Sequence, residues 1–378
     1  NISKNLRSDV KIGAALSGGI DSSSIVCSIK HLEPDAEINT FSYVPNDVNI
    51  SEEYWIDIIN SHTRSISHKF NFSNEEFISD FDNLILTQGE PFGGTSIYAS
   101  YRLYKLAKEK GVTVTLDGQG ADEILGGYNG FPGYRLHSMI DNREFVSAFK
   151  FLNAWSRYPN RSKYDAIKRL VGSISSGKLN NYLRELNGMC SSPIWIESDL
   201  LQENGVKLGF PADKKLFHGK GRRMVEYMAH STYHRGLNSL LRHGDRNSMR
   251  FSVESRVPFL STSLTNFSLS LPEQFLVSDQ GETKHIFREA MRGIVPGQVL
   301  DRKDKVGFAT PEKDIFFKMK DNIELWLNED LNIPFINQDV IKKEFARVLA
   351  KKKPFNLEIW RWINFYRWYQ LKLNQNEF

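Results

Sequence analysis

Two stretches of strand-forming residues in the first third of the chain each lead directly into a glycine-rich segment with acidic residues. Residues 11–16 (KIGAAL) are followed by residues 17–23 (SGGIDSS), and residues 112–116 (VTVTL) are followed by residues 117–128 (DGQGADEILGGY). Short runs that are apolar or rich in β-branched residues predict buried strands. If these strands are parallel, both glycine-rich segments lie at the carboxyl edge of one sheet, where ligands bind.

Helical patterns separate the predicted strands. Residues 38–44 (INTFSYV) form a third strand pattern, and residues 97–110 carry apolar side chains at helical spacing. This alternation predicts right-handed βαβ units. The expected fold class is therefore α/β, with a parallel sheet flanked by helices. Beyond about residue 134 the strand signal fades, which predicts additional helical segments.

The first glycine-rich segment has the residue types of an anion cradle. Gly18 and Gly19 let the backbone approach a ligand, and the hydroxyls of Ser17, Ser22 and Ser23 add donors beside the free N–H groups of a helix start. Such a cradle suits phosphate. The alternative is a plain strand–turn–helix connection in which the polar side chains cap the helix.

Acidic residues in both segments indicate a metal ion. Asp21 would repel bare phosphate, but it is well placed if it holds a Mg²⁺ that neutralises the phosphates. The second segment supplies Asp122 and Glu123 among four glycines. Asp21 and Asp122, one from each loop, would hold Mg²⁺ on a triphosphate. A turn with exposed acids is the alternative for the second segment.

The glycine-rich segments also carry a resemblance to a known family. SGGIDSS resembles the PP-loop of the ATP pyrophosphatases, which cleave ATP between its α and β phosphates, and DGQGADEILGGY narrows the resemblance to the asparagine synthetase family. Residues 245–260 (DRNSM through ESRVPFL) and 303–311 (KDKVGFATP) are similar to two further motifs of that family, in the same order. The resemblance implies the PP-loop fold, which is like that of the adenine nucleotide alpha-hydrolases.

The resemblance implies a synthetase that depends on ATP and Mg²⁺. Such an enzyme adenylates a carboxylate, here with aspartate preferred, and passes the acyl group to ammonia or an amine with release of AMP and pyrophosphate. The metal ligands would be Asp21 and Asp122. The residues expected to bind ATP and pyrophosphate are Leu16, Ser17, Gly18, Gly19, Asp21, Ser22, Ser23, Gly118, Gln119 and Gly120.

Four further candidates follow the glycine-rich segments: two lie in the later motifs, and two lie in residues 281–290, which resemble a K-x-x-x-R segment of the family. Lys305 matches the family's catalytic lysine, although by composition alone it would be a solvated surface lysine. Glu254 is a second catalytic candidate that would orient the substrate, with an internal ion pair to Arg256 as its alternative. Lys284 and Arg288, four residues apart on a predicted helix, either approach phosphate or only decorate that helix.

Gln119 departs from the family pattern. Asparagine synthetases commonly carry Glu at this position and β-lactam synthetases carry Tyr, and the amide of glutamine cannot act as a general base. Nitrogen transfer is then arranged differently, or the chain is a related amide ligase such as a lasso-peptide cyclase, a β-lactam synthetase-like enzyme or a sugar amidotransferase. An ATP-binding regulatory subunit without catalysis is the alternative of another class.

Composition and cysteine usage limit the partners. The chain has 378 residues, 49 Lys and Arg against 45 Asp and Glu, and a net charge of +4, which is too weak to indicate a nucleic-acid binder. No apolar run reaches the length of about 18 residues that spans a membrane, so a cytoplasmic location without membrane partners is expected. Cys27 and Cys190 form no pair and neither lies near the start.

A glutaminase nucleophile is accordingly missing from this sequence. Glutamine-dependent relatives begin with a glutaminase domain whose nucleophile is an N-terminal cysteine, so ammonia would come from a removed domain or from a separate subunit. The expected partners are therefore a small carboxylate and a nitrogen donor, and a homodimer remains open. Cys27 is expected to be buried in the helix that follows the first loop.

Four segments are predicted along the chain. Residues 1–135 form the nucleotide-binding core, residues 136–235 a helical insertion, residues 236–312 complete the active site, and residues 313–378 form a C-terminal helical region. Within the last segment, Ile359, Trp362, Ile363 and Tyr366 share one helix face. Core packing is the preferred interpretation of that face, with partner binding as the alternative.

Overall fold

The computed structural model describes residues 1–47, 50–159, 161–174, 192–209, 220–234, 236–303, 310–329 and 331–374. Two compact units share the chain. The first unit comprises residues 1–71, 99–174 and 215–309, and the second comprises residues 72–98, 175–214 and 310–378. Both units are discontinuous in sequence, whereas the four predicted segments are contiguous, and those segment boundaries stay a prediction.

The first unit is built on a parallel sheet of five strands. They are β1 (Ile12–Ala15), β2 (Asn39–Tyr43), β3 (Ile66–Phe70), β4 (Val114–Leu116) and β5 (Glu254–Arg256), in the spatial order β3-β2-β1-β4-β5. The predicted α/β class with a parallel sheet is therefore confirmed. The three predicted strands correspond to β1, β2 and β4, but β3 and β5 were not predicted, because ISHKF is half polar and ESR is short and wholly polar.

Helices occupy the chain segments before, between and after the strands of the sheet. Those of the first unit are Ile2–Asn5, Ile20–Leu32, Glu53–Thr63, Ser96–Glu109 (most of which belongs to this unit), Ala121–Leu125, Phe131–Asp141, Phe145–Trp155, Lys163–Ile174, Arg223–His234, Leu237–Arg250, Thr262–Ser270, Glu273–Leu276, His285–Ala290 and Gly297–Leu300. The helix Ile20–Leu32 packs on β1 through fully buried residues such as Ile25 and Val26. Cys27 is 2% exposed on the same helix, which confirms its predicted burial.

The second unit is helical over the residues that the structure describes. Its helices are Asn74–Gln88, Ser198–Glu203, Glu312–Lys318, Lys320–Asn328, Gln338–Leu349 and Leu357–Asn374. Ile359, Trp362, Ile363 and Tyr366 are each at most 2% exposed, so the core packing predicted for that face is confirmed. Within the described ranges, no helix is both long and apolar enough to cross a membrane.

The strand order indicates where this sheet would bind a ligand. The strands β2 and β3 lie on one side of β1, and β4 and β5 lie on the other. Because the order reverses between β1 and β4, the loops that leave the carboxyl ends of these two strands lie at the position where open parallel sheets bind ligands. These loops are the two glycine-rich segments.

Candidate active site

The loop after β1 is held open by its glycines and serines. Gly18 adopts a left-handed φ of 71°, and a Cβ there would lie 2.7 Å from Cβ of Trp55. Ser22 Oγ accepts a hydrogen bond from Ser17 N at 3.1 Å and lies 3.2 Å from Ser17 Oγ. Gly19 is the N-cap of the helix Ile20–Leu32 and has no side chain to cap it, so the first-turn N–H groups can bind an anion.

The loop after β4 lies directly against the first loop. A Cβ on Gly118 would approach Asp21 Cβ and Ser22 N at 3.3 Å each, so glycine allows the two backbones to meet. Gly120 has a φ of 91°, and a Cβ there would lie 2.3 Å from Cδ2 of Leu260. Of the remaining predicted ligand-binding residues, Leu16 and Ser23 are buried, and Gln119 is exposed.

One ammonium group joins the acids of the two loops. Lys284 Nζ lies 2.6 and 2.7 Å from the two carboxylate oxygens of Asp21, and 2.5 Å from Oδ1 of Asp122. Lys284 is 3% exposed and has a left-handed φ of 56°. Gly127 allows this arrangement, since a Cβ there would lie 2.2 Å from Cε of Lys284. Of the two interpretations left open for Lys284, the surface position is excluded.

The same two carboxylates suit a magnesium ion. Mg²⁺ is usually held by one or two carboxylates together with water and substrate phosphate oxygens. Carboxylate oxygens of Asp21 and Asp122 both contact the Lys284 ammonium group, beside the loop after β1. Among the described residues there is no cluster of three or more His, Cys, Asp or Glu, so the protein would supply these two carboxylates and phosphate and water would supply the other ligands. The donor set therefore fits a cation shared with bound phosphate.

Buried acids support the second loop from behind. Glu123 is 2% exposed and accepts a hydrogen bond from the Tyr128 hydroxyl at 2.6 Å, and burial raises the pKa of this carboxyl. Asp117 accepts hydrogen bonds from the hydroxyls of Tyr104 and Ser255, both at 2.5 Å. Burial also raises the pKa of Asp117. These contacts fix the start of the loop to the helix Ser96–Glu109 and to β5.

Two charged residues that were not predicted as site residues contact the first loop. Arg302 donates from Nη1 to the Gly18 carbonyl at 3.2 Å, and its Nη2 lies 2.7 Å from Oε1 of Glu52. Both side chains are less than 10% exposed. Arg302 lies next to the final motif in a run of mixed charges, which gives no sequence signal of burial.

The structure does not bring Glu254 to the two loops. Glu254 opens β5 opposite Val114, the first residue of β4, and therefore lies at the other end of the strands. Its side chain is 60% exposed and accepts a hydrogen bond from Arg256 Nε at 2.8 Å, which lowers the pKa of the Glu254 carboxyl. The geometry thus favours the ion pair over a role in orienting substrate.

Arg288 and Lys305, the two remaining candidates, have different outcomes. Arg288 donates to the carbonyl oxygens of Thr283, Leu300 and Arg302, so it holds the backbone. Lys305, the predicted catalytic lysine, lies outside the described residues.

A parallel α/β sheet with a phosphate cradle after β1 and paired acids at its carboxyl edge defines a nucleotide-binding domain of the PP-loop class. The family model "Asparagine synthase" matches residues 2–370, and the chain belongs to this family. It is 27% identical over 398 aligned residues to "Asparagine synthetase [glutamine-hydrolyzing] 1" of Bacillus subtilis, an alignment that covers 99% of this chain and 58% of that protein.

Two further relatives agree with this membership. "Asparagine synthetase [glutamine-hydrolyzing] 3" of Bacillus subtilis is 28% identical over 80% of this chain and 45% of its own length. "Putative asparagine synthetase [glutamine-hydrolyzing] 2" of Methanocaldococcus jannaschii is 35% identical over 35% of this chain and 25% of its own length. The chain thus spans about half the length of the two Bacillus subtilis relatives.

Proposed function

We propose that this chain is an ATP-dependent, amide-forming synthetase that adenylates a carboxylate and transfers the acyl group to ammonia or an amine. The observation that carries the proposal is the meeting of Asp21 and Asp122, from two separate loops, beside an anion cradle at the carboxyl edge of the sheet. Family membership supports ATP as the nucleotide. Aspartate is the preferred carboxylate, because the relatives are named asparagine synthetases.

The reaction would proceed in two balanced steps. A carboxylate oxygen attacks the α-phosphorus of ATP, the bond to the β-phosphate oxygen breaks, and pyrophosphate leaves. The nitrogen nucleophile then attacks the acyl carbon, loses a proton and displaces AMP. Negative charge builds up on the departing pyrophosphate, so the protein contributes chiefly by positioning and electrostatic stabilisation.

The described residues have distinct roles in this proposal. The N–H groups after Ser17 and the hydroxyls of Ser17 and Ser22 would bind pyrophosphate, as the contacts of the loop allow. Asp21 and Asp122 would hold Mg²⁺, which supplies positive charge to the phosphate oxygens when it is bound. Lys284 would keep the two carboxylates close and add a further positive charge beside the phosphates.

The nitrogen step would involve Gln119 on the loop after β4 and Lys305, which lies outside the described residues. Lys305 remains the proposed catalytic lysine on the strength of its motif. Gln119 is exposed on the loop after β4, where an amide can orient a nucleophile by hydrogen bonds but cannot take its proton. A glutaminase activity, as in the names of the relatives, would then be the source of ammonia.

Isotope exchange between pyrophosphate and ATP tests the proposal. The exchange requires a carboxylate that forms the acyl-adenylate, so screening candidate carboxylates identifies the substrate. Exchange with aspartate alone supports asparagine synthesis, and exchange only with a peptide or sugar acid indicates a related amide ligase. Binding of ATP without exchange for any carboxylate would contradict the proposal and favour a regulatory subunit.

Variants of the acids test the site itself. Asp21→Asn and Asp122→Asn each remove one carboxylate charge with little change of shape, and each is expected to reduce exchange by at least about a hundredfold, in line with the loss of an electrostatic group that stabilises a transition state. Asp57→Asn is the matched control, since Asp57 pairs with Lys69 and is half exposed. Wild-type exchange in either site variant would refute the metal-binding assignment.

A further inference from the structure

Arg302 is buried against the phosphate-binding loop and connects it to a second segment of the chain. Its guanidinium lies 4.9 Å from the ring centre of Trp55, forms an ion pair with Glu52 at 2.7 Å, and donates to the Gly18 carbonyl at 3.2 Å. The residues Arg302 and Gly18 are 284 positions apart in the sequence. A planar guanidinium can make these contacts at once, because its donors are fixed in a fork.

The contact with Gly18 controls the direction of a neighbouring donor. In a trans peptide the C=O and N–H groups lie in one plane and point in opposite directions. Holding the Gly18 carbonyl on Arg302 therefore turns the Gly19 N–H to the opposite side. There the Gly19 N–H donates a long hydrogen bond to Ser17 Oγ at 3.4 Å, beside the contact between the Ser17 and Ser22 hydroxyls, so it faces the part of the loop that pyrophosphate would occupy.

The conformation that Arg302 holds is one that the loop would not strongly prefer alone. Gly18 has a φ of 71°, and a glycine can leave this region at little steric cost. The side chain of Trp55 and the backbone carbonyl of Glu52 pack against the loop, because they lie 2.7 and 3.2 Å from the position that a Cβ on Gly18 would take. Arg302 thus adds a specific hydrogen bond to the Gly18 carbonyl, next to the steric limits that Trp55 and Glu52 impose on this loop.

We propose that Arg302 is a positioning residue that aims the Gly19 N–H at pyrophosphate, with Glu52 fixing the guanidinium from its other side. Arg288 reinforces this arrangement, because it donates to the carbonyls of Leu300 and Arg302 and so fixes the backbone from which Arg302 projects. The role deepens the proposed function and rests on it. In this role Arg302 acts through the loop after β1 and not by direct contact with substrate.

Binding of inorganic pyrophosphate in the presence of Mg²⁺ tests the role without catalysis. Calorimetry on Arg302→Gln is expected to show a Kd about tenfold higher than that of the wild type, which corresponds to one well-directed hydrogen bond. Arg292→Ala is the control, since Arg292 is an exposed arginine that pairs with Glu289 and Asp301, and its Kd should not change. Wild-type affinity in Arg302→Gln would overturn the proposal.

A double variant separates positioning from stability. Arg302→Gln leaves Glu52 buried without its guanidinium, which destabilises the fold, whereas Arg302→Gln with Glu52→Gln removes both charges and should restore much of the thermal stability. The weaker pyrophosphate binding is expected to persist in this double variant. If the affinity returned together with the stability, Arg302 would be structural and the positioning role would be refuted.

Steady-state exchange provides a second readout and separates this inference from the proposed function. Arg302→Gln should raise the KM for pyrophosphate about tenfold and leave the KM for the carboxylate unchanged, and ethylguanidinium should partly restore the value in Arg302→Ala. An equal rise in both KM values would contradict the positioning role. The wild type could instead bind pyrophosphate in a way that depends on Arg302 and yet show no exchange with any carboxylate. That result would support the positioning role and refute the synthetase.

Discussion

Lys284 opposes the repulsion between two carboxylates with a single ammonium group. Replacing it by methionine keeps most of the side-chain volume but leaves Asp21 and Asp122, whose side chains are 12% and 20% exposed, facing each other without a cation. Removing one partner from such a buried group is strongly unfavourable, so Lys284→Met is expected to lower the free energy of unfolding by about 3 kcal/mol. Urea denaturation at neutral pH measures the loss.

Magnesium should distinguish this electrostatic loss from a packing loss. If the two carboxylates can hold Mg²⁺, the ion replaces the missing charge, and millimolar Mg²⁺ will raise the unfolding midpoint of Lys284→Met more than that of the wild type. Lys11→Met serves as the control because Lys11 is exposed. An identical response to Mg²⁺ in variant and wild type would argue against a cation site at these acids.

Glu273 should make the stability of the fold depend on pH. It accepts hydrogen bonds from Ser138 Oγ and from the backbone N–H groups of Met224 and Val225, which begin the helix Arg223–His234. Burial raises the pKa of Glu273 from 4.5 to about 7. Between these values the folded protein keeps a proton that the unfolded chain has released, so this group's contribution to stability falls as the pH rises from about 4.5 to about 7.

The variant Glu273→Gln removes that titration. The difference in unfolding free energy between wild type and variant is expected to change by about 3 kcal/mol over this pH window. The wild type becomes less stable relative to the variant as the pH rises. Denaturation curves at a series of pH values between 4 and 8 measure it. A difference that stays constant across the series would show that the carboxyl does not titrate there.

The loop after β4 depends on Gly120 for two separate reasons. Its φ of 91° is unfavourable for any residue with a Cβ, and that Cβ would overlap with the side chain of Leu260. Gly120→Ala should therefore cost at least about 2 kcal/mol of stability. Adding Leu260→Ala should relieve the overlap but not the backbone cost, so partial rescue is expected by urea denaturation.

A matched glycine provides the comparison for this loop. Gly297 begins the helix Gly297–Leu300, and a Cβ there would meet no atom within 4 Å. Gly297→Ala is accordingly expected to be neutral or slightly stabilising. Equal effects of alanine at positions 120 and 297 would show that the shape of the second loop does not require glycine.

Elements with a strong local pattern were predicted from sequence, and those that depend on neighbours were not. The apolar runs of β1 and β4 and the glycines after them are local signals of buried strands that end at a ligand site. By contrast, β5 has only the three polar residues Glu254–Arg256 and exists because its backbone pairs with β4. No periodicity over so short a segment can indicate that pairing.

Assembly of the site from distant parts of the chain limits what a sequence can predict about it. The resemblance and the rule for parallel sheets were enough to select Asp21 and Asp122. The ion pair between Asp21 and Lys284 spans 263 positions, and the contact between Gly18 and Arg302 spans 284. A basic residue in a segment of mixed charge is expected to be exposed to solvent. Only the tertiary structure therefore shows that Lys284 and Arg302 are buried.

The second unit is likewise held together by contacts between residues that are distant in the sequence. Substitution of Trp360 tests these contacts. Trp360 is 1% exposed, and its ring lies 6.0 Å from that of Phe77, 5.6 Å from that of Phe81 and 6.1 Å from that of Phe92. These contacts join residues 72–98 to the C-terminal helix Leu357–Asn374. Trp360→Ala should therefore cost about 4 kcal/mol, the usual loss for a large aromatic residue in a core.

Trp360→Phe should cost much less, about 1 kcal/mol. The indole N–H has no hydrogen-bond partner among the described residues, so phenylalanine breaks no hydrogen bond and leaves no acceptor unpaired. Leu325→Ala, on an exposed side chain of the same unit, should have almost no effect. Amide hydrogen exchange in the helices Asn74–Gln88 and Leu357–Asn374 locates the loss. Since Trp360 bridges both stretches, Trp360→Ala must weaken protection in both helices, and a loss confined to the C-terminal helix would mean that it does not hold them together.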